Sequence, residues 1–362
     1  MTRQTVVFRV RLNAPLPANG WIMPPLDRRT FIKATAATTF AMGGLSNLFA
    51  APTEKQPNVL FLFSDDQQAD TIRALGNTHI HTPNIDRLVG MGTTFTNAHI
   101  MGSSSPAVCS PSRASLMTGR TLWNLENQGL WGFEISAKHK TMPEVFREAG
   151  YATFGTGKNE PGLKGGSFKR GFTHGEKILF AGNSNHNRLR LFNLQPDGSF
   201  EREVIKDKHS SEVYADATID FLNEHAKSNK PFFAYVSFQA PHDPWQAPQK
   251  YLDMYQPEDL PVPEAFMPKH PFDNGELKIR DERNAPFPRT EEKVGEIAAK
   301  YYAMITHLDA QIGRILDTLK KTGQMDNTII VFSSDNGMAV GNHGLLGKQN
   351  VYEHSTKVPL IV

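Results

Sequence analysis

Pro57-Asn58-Val59-Leu60-Phe61-Leu62-Phe63-Ser64-Asp65-Asp66 decides how this chain folds. The apolar run from Val59 to Phe63 leaves no polar side for solvent. Such a run fits a strand covered on both faces, as at the centre of a parallel sheet. It stops abruptly at Ser64-Asp65-Asp66. The same design recurs further on. Thr328-Ile329-Ile330-Val331-Phe332 stops at Ser333-Ser334-Asp335-Asn336-Gly337, and Pro231 to Phe238 leads into Ala240-Pro241-His242-Asp243. A shorter run, Tyr151 to Phe154, leads into Gly155-Thr156-Gly157-Lys158.

Helical patterns lie between these runs. Thr82-Pro83 opens a helix from Asn84 to Met91, with a cap residue followed by proline at the first helical position. Thr141-Met142-Pro143-Glu144 has capping-box spacing and begins a helix ending at Gly150. Ser210 or Ser211 caps a helix to about Ala226. Thr290 begins a long one, in which Ile297, Tyr301, Ile305, Leu308, Ile312, Ile315 and Leu319 recur at helical spacing. Alternation of buried strands with helices predicts an α/β fold, a doubly wound, mainly parallel sheet with helices on both faces. In such sheets ligands sit outside the carboxyl ends of the strands. That rule gathers Asp65, Asp66, Lys158, His242, Asp335 and Asn336 on one rim. Any one of them reads equally well as a turn or cap residue. Four strand ends sharing the habit argue for chemistry. The stretches Lys164–Lys208 and Gln246–Arg289, rich in charge and proline, read as long surface excursions that either shape a pocket or are passive.

The chain has 362 residues, with 39% hydrophobic and 21% charged, the balance of a globular protein. Its 39 basic and 37 acidic side chains form no long block of one sign, so charge gives nucleic acid no support. The one cysteine, Cys109, excludes a disulfide within the chain. Near the N-terminus, Asp27-Arg28-Arg29-Thr30-Phe31-Ile32-Lys33 precedes a small-residue stretch, Ala34 to Leu45, and then Ala50-Ala51. Paired arginines before a weakly apolar run match a twin-arginine export signal in residues 1–50, with Met23 as an alternative start. The stretch is shorter than the roughly 20 residues that span a bilayer, so a stable membrane span is not expected. The expected location is periplasmic or secreted.

Cys109-Ser110-Pro111-Ser112-Arg113 is followed by Ala114-Ser115-Leu116-Met117-Thr118-Gly119-Arg120. This resembles the signature of the sulfatase family, within the alkaline phosphatase-like superfamily. The likeness runs from about Pro57 to Val362. It includes Asp65-Asp66-Gln67, Thr82-Pro83-Asn84-Ile85-Asp86-Arg87-Leu88, Ser333-Ser334-Asp335-Asn336-Gly337 and His343-Gly344-Leu345-Leu346-Gly347-Lys348. The resemblance implies hydrolysis of sulfate monoesters, with Cys109 oxidised to formylglycine by a formylglycine-generating enzyme. It implies a calcium ion, with magnesium as the alternative, held by Asp65, Asp66, Asp335, Asn336 and the modified residue 109. The side chains fit, since carboxylate and amide oxygens suit hard cations. Pro111 is placed where a helix begins, and a helix N-terminus favours an anion. Arg113, Lys158 and Lys348 are then expected to balance the sulfate oxygens, and His242, with Lys348, to protonate the leaving alcohol.

Two features depart from the family pattern. Gly157-Lys158-Asn159-Glu160 stands where the family commonly has G-K-x-H, so either Glu160 is the base for breakdown of the sulfated intermediate, or another residue such as His174 folds in, or turnover is slow. His343 matches a family position near the rim, with a capping or core role as the alternative. The chain also stops at Val358-Pro359-Leu360-Ile361-Val362, which reads as the start of a buried strand. The catalytic domain, residues 57–362, is therefore expected to lack the family's smaller C-terminal subdomain. A sulfated carbohydrate is the expected substrate, and the twin-arginine translocase an expected partner. The rivals are a formylglycine-dependent phosphonate or phosphodiester hydrolase, and an inactive paralogue that binds sulfated glycans.

Overall fold

The computed structural model describes residues 55–103, 108–125, 134–159, 165–182 and 184–362. The expected export signal lies outside these residues. In chain order the elements are β1 (Asn58–Ser64), α1 (Pro83–Met91), β2 (Ala98–His99), α2 (Cys109–Thr118), α3 (Met142–Glu148), β3 (Ala152–Lys158), α4 (Gly166–Gly171), β4 (His174–Leu179), β5 (Arg188–Leu194) and β6 (Phe200–Lys206). They continue with α5 (Ser210–His225), β7 (Phe232–Ser237), α6 (Gln249–Leu252), α7 (Glu291–Lys321), β8 (Thr328–Ser334), α8 (Glu353–Thr356), β9 (Lys357–Val358) and β10 (Leu360–Ile361).

Eight of these strands form one sheet in the order β10-β8-β1-β7-β3-β4-β5-β6. The run β8-β1-β7-β3-β4 is parallel throughout. Antiparallel strands flank it, β10 on β8 at one edge, then β5 on β4 and β6 on β5 at the other. The apolar runs therefore do what their composition requires. Leu60, Leu62, Ala234 and Val236 pack toward α5 and α7 through Tyr214, Leu222, Met304 and Leu308. The alternate residues Phe61, Phe63, Phe233 and Tyr235 pack toward α2 and α4 through Ala114, Met117 and Phe168. Both faces of the sheet are covered, as a doubly wound fold demands. No helix among the described residues is long and apolar enough to cross a membrane.

Several local expectations change in detail. Thr82 does not cap α1; its hydroxyl donates to Asp86. The cap comes from α7, where Asp309 accepts from the backbone N–H groups of Asn84 and Ile85 at 3.0 and 2.7 Å. At α5 the cap is His209, whose Nδ1 accepts from Ser211 N, and not a serine. The capping box of α3 is present, with the Glu144 carboxylate accepting from Thr141 N at 2.9 Å. Thr290 caps the 31-residue α7 by accepting from Lys293 N.

The stretch Lys164–Lys208 is no passive excursion. It holds α4 and three strands that widen the sheet. Its charged residues lie on one side of β5 while Leu189 and Leu191 are buried on the other. That alternation is the mark of a strand with one solvated face. Gln246–Arg289 is, as expected, mostly irregular, with α6 and two 3-10 turns.

Candidate active site

All four parallel strands named in the sequence deliver their polar residues to the carboxyl rim of the sheet. Asp65 and Asp66 follow β1, Lys158 ends β3, His242 lies beyond β7, and Asp335 and Asn336 follow β8. Register brings them level, with Ser64 opposite Ser334 and Phe63 opposite Ser237. β3 reaches this level through Gly157, whose φ is +85°. A Cβ there would stand 1.9 Å from Ser237 O, so the approach of β3 to β7 beside Lys158 requires glycine.

Cys109 opens α2, two residues earlier than Pro111 suggested, and is buried beneath the rim. Its Sγ lies 3.4 Å from Asp65 Oδ1, 3.9 Å from Asp66 Oδ1 and 3.2 Å from Lys348 Nζ. Burial, reinforced by the Asp335 and Asp65 carboxylates, pushes the thiol pKa well up. Asp65, Asp66, Cys109 and His242 place ligand atoms within 4.8 Å of one another. Asp66 Oδ2 and Asn336 Oδ1 are buried with no hydrogen-bond partner among the described residues. Buried acceptors of this kind ordinarily have a donor or a cation. Asp65, Asp66, Asp335 and Asn336 thus form an oxygen-only set that fits a hard divalent ion.

Three cations face these three carboxylates. Arg113 Nε donates to Asp335 Oδ2 at 2.9 Å and Nη2 to Asp65 Oδ2 at 3.2 Å. Its Nη1 donates to Ser237 Oγ at 2.5 Å. The guanidinium is fully enclosed by protein partners. Arg113 therefore bridges the two acids that follow β1 and β8. Lys158 pairs with Asp65, and Lys348 Nζ donates to Asp66 Oδ1 at 2.5 Å. Burial opposes the charge of Lys348, but Asp66, Cys109 and Asp281 hold its pKa well above the usual value. Three carboxylates and three cations thus balance one another at the rim. His242 Nε2 stands 3.7 Å from Asp66 Oδ2, while its Nδ1 meets Asp243 O at 2.6 Å.

Glu160 lies outside the described residues. His174 does not fold in. It is exposed at the opposite end of the sheet, level with Phe154. His343 takes a turn position with φ +54° and stacks on Tyr352, centroids 4.1 Å apart. Sequence reasoning missed Tyr301, whose hydroxyl donates to Asp66 O at 2.5 Å and accepts from Gln68 N at 3.0 Å. That clamp holds Asp66 in the left-handed conformation, φ +67°. Tyr301 was legible only as a core residue of α7. It also missed Ser237, Asp243 and the buried acids Asp281 and Glu282.

The sulfatase family model matches residues 57–362. A sulfatase of Formosa agariphila is 31% identical over 84% of this chain and 63% of its own length. The chain spans between 56% and 70% of the length of eight curated relatives it matches. Among solved structures, one in complex with its substrate D-glucosamine-2-N,6-O-disulfate superposes with a TM-score of 0.66 at 25% identity, covering 85% of this chain and 71% of that one. A phosphonate monoester hydrolase of Agrobacterium radiobacter superposes with a TM-score of 0.66 at 26% identity, covering 84% and 68%. A match that takes in β1 through β10, and with them every rim residue that the sheet gathers around Cys109, places this chain in the sulfatase family.

Proposed function

We propose that this chain hydrolyses sulfate monoesters, with sulfated carbohydrates as the substrate class, at a site built on Cys109 and a calcium ion. The observation that carries the reading is the pair of orphaned buried oxygens, Asp66 Oδ2 and Asn336 Oδ1, beside a buried Cys109 in C-x-P-S-R. When present, calcium (or magnesium) supplies Lewis acidity to an oxygen nucleophile, which oxidation of Cys109 to formylglycine provides.

The protein's own residues do the rest. Asp65, Asp66, Asp335 and Asn336 hold the ion. Arg113 fixes Asp65 and Asp335 in place through the contacts above. Lys158 and Lys348 carry the charge that balances the ester's anionic oxygens as it distorts, the kind of preorganised interaction that dominates catalysis in a dry site. The N-terminal N–H groups of α2 add to the same field. His242 Nε2 is the proton-carrying atom for the leaving oxygen, with Nδ1 tied back to Asp243. Glu160 is the proposed base for the second half of turnover. A twin-arginine signal in residues 1–50 would deliver the protein to the periplasm or beyond, with the modifying enzyme and the translocase as partners. Carbohydrate is suggested by the relative solved with a glucosamine disulfate.

A test takes purified protein through peptide mass spectrometry and an aryl sulfate assay. Conversion of Cys109 removes sulfur and two hydrogens and adds one oxygen. Expected are a converted peptide, turnover, and loss of turnover on chelation that calcium restores. An intact thiol with no turnover would sink the reading and favour a glycan-binding paralogue. The likeness to a phosphonate monoester hydrolase supports a second reading. A larger kcat/KM on aryl phosphonate or phosphodiester than on aryl sulfate would establish it instead.

A further inference from the structure

The irregular stretch between β7 and α7 carries one point of dense chemistry, Arg280-Asp281-Glu282. Asp281 and Glu282 begin a 3-10 turn, Asp281–Asn284, and are buried at 1% and 4% exposure. Buried acids demand partners, and theirs are informative. Glu282 Oε1 accepts from Gly347 N at 2.7 Å and Oε2 from Leu346 N at 3.0 Å. The buried Arg289 donates to the same carboxylate at 2.7 Å. Asp281 Oδ2 accepts from Gln349 Nε2 at 2.7 Å, and Gln349 Oε1 accepts from Lys348 N at 3.0 Å. The backbone N–H groups of residues 346, 347 and 348 are all tied to this turn, two directly and one through Gln349. Contact is close enough that a Cβ on Gly347 would sit 3.0 Å from Asp281 Cβ and from Glu282 Oε1.

Arg280 reaches the other way. Its Nε donates to Asp281 Oδ1 at 2.8 Å, its Nη2 to Asp243 Oδ1 at 3.1 Å, and that Nη2 lies 3.4 Å from His242 Nε2. Asp243 in turn meets His242 Nδ1 at 3.1 Å. One turn therefore grips two loops that arrive from different strands, and each loop carries a side chain that leans on Asp66.

We propose that Arg280-Asp281-Glu282 is a positioning unit that sets His242 and Lys348 against the two carboxylate oxygens of Asp66 at one fixed separation. The Lys348 loop contains Gly341, Gly344 and Gly347, the first two at positive φ, and has little stiffness of its own. Charge-assisted bonds to backbone donors supply it. The unit acts through the loops, and only Arg280 also reaches the ring of His242 itself, at Nε2. This rests on the proposed role of His242 and Lys348 in protonating the leaving oxygen.

The test compares wild type with Arg280→Met, Glu282→Gln and Glu282→Ala on aryl sulfates graded from nitrophenyl to unactivated phenyl leaving groups. Misplacing proton donors by about 1 Å should cost roughly 10- to 100-fold in kcat on phenyl sulfate. The loss should shrink steadily as the leaving group improves, with KM and calcium affinity held, and Glu282→Gln should recover part of what Glu282→Ala loses. Equal losses on every leaving group, or none, overturn the proposal. Glu282→Gln keeps an acceptor and the shape, so it carries the test if Glu282→Ala fails to fold. An inactive wild type would instead refute the sulfatase activity. Hydrogen exchange then decides the positioning unit alone. Glu282→Ala should speed exchange at residues 346–348 and Arg280→Met at residues 242–243, and unchanged exchange at both refutes it.

Discussion

Tyr301 shows how much of this site rests on residues that bear no catalytic signature. Its hydroxyl bridges Asp66 O and Gln68 N, and so holds the peptide that aims the Asp66 carboxylate. Tyr301→Phe keeps the buried ring and removes only the bridge. The expected stability loss is about 1–2 kcal/mol, since a buried acceptor and donor lose their partner. Affinity for the proposed calcium ion, read by titration calorimetry, should fall roughly tenfold, as when a ligand's supporting shell is removed. A stability loss with calcium binding intact would contradict the clamp. Asp66, Asp335 and Arg113 were legible in the sequence because strand ends and a short motif mark them. Tyr301 and Glu282 were not. Their partners are backbone atoms 235 and 64 or 65 positions away, and backbone partners leave no trace in residue type.

At the scale of elements, the strands were legible because five apolar residues in a row admit few other readings. The helix starts were less so. Thr82 has the right identity for a cap, yet its hydroxyl is engaged elsewhere, accepting from Arg73 N and donating to Asp86, and Asp309 from α7 accepts the two N–H groups instead. The strands β4, β5 and β6 were hidden by charge, since an outer sheet face is written in lysine, arginine and glutamate. β3 depends most on one position. Gly157→Ala places a methyl 1.9 Å from Ser237 O at a φ that L-residues avoid. The expected cost is about 3 kcal/mol or more, with Lys158 withdrawn from Asp65. Denaturant unfolding should show it, and a variant as stable as wild type would mean β3 and β7 have room to part.

Across the whole molecule, a cluster of buried imidazoles makes a contribution to stability that depends on pH. His186 lies on His209 at 4.9 Å between centroids, and His209 meets His307 at 4.5 Å. Burial holds the pKa of His186 down at about 4 and depresses His209 and His307 as well, with Glu212 beside His307 opposing the trend there. These rings are neutral in the fold. The unfolded chain takes up protons near the ordinary value of 6.5 while the folded one does not, so it binds more protons in the window between 6.5 and 4. Their contribution to stability is therefore complete above pH 6.5 and falls as pH drops toward 4, by about 3 kcal/mol for His186 alone. Denaturant midpoints at pH 7 and pH 5 check this. Equal midpoints would exclude the neutral stack.

The place of β1 in the sheet sets a timetable for the nascent protein. Its partners β7 and β8 lie 174 and 270 positions further along the chain. At ribosomal speed the second arrives on the order of tens of seconds after β1 emerges. Through that interval Val59 to Phe63 is greasy, unpaired and without a lid. Synthesis in the cell thus leaves this run exposed until its later partners arrive, so a holdase that shields it should raise the yield of soluble protein.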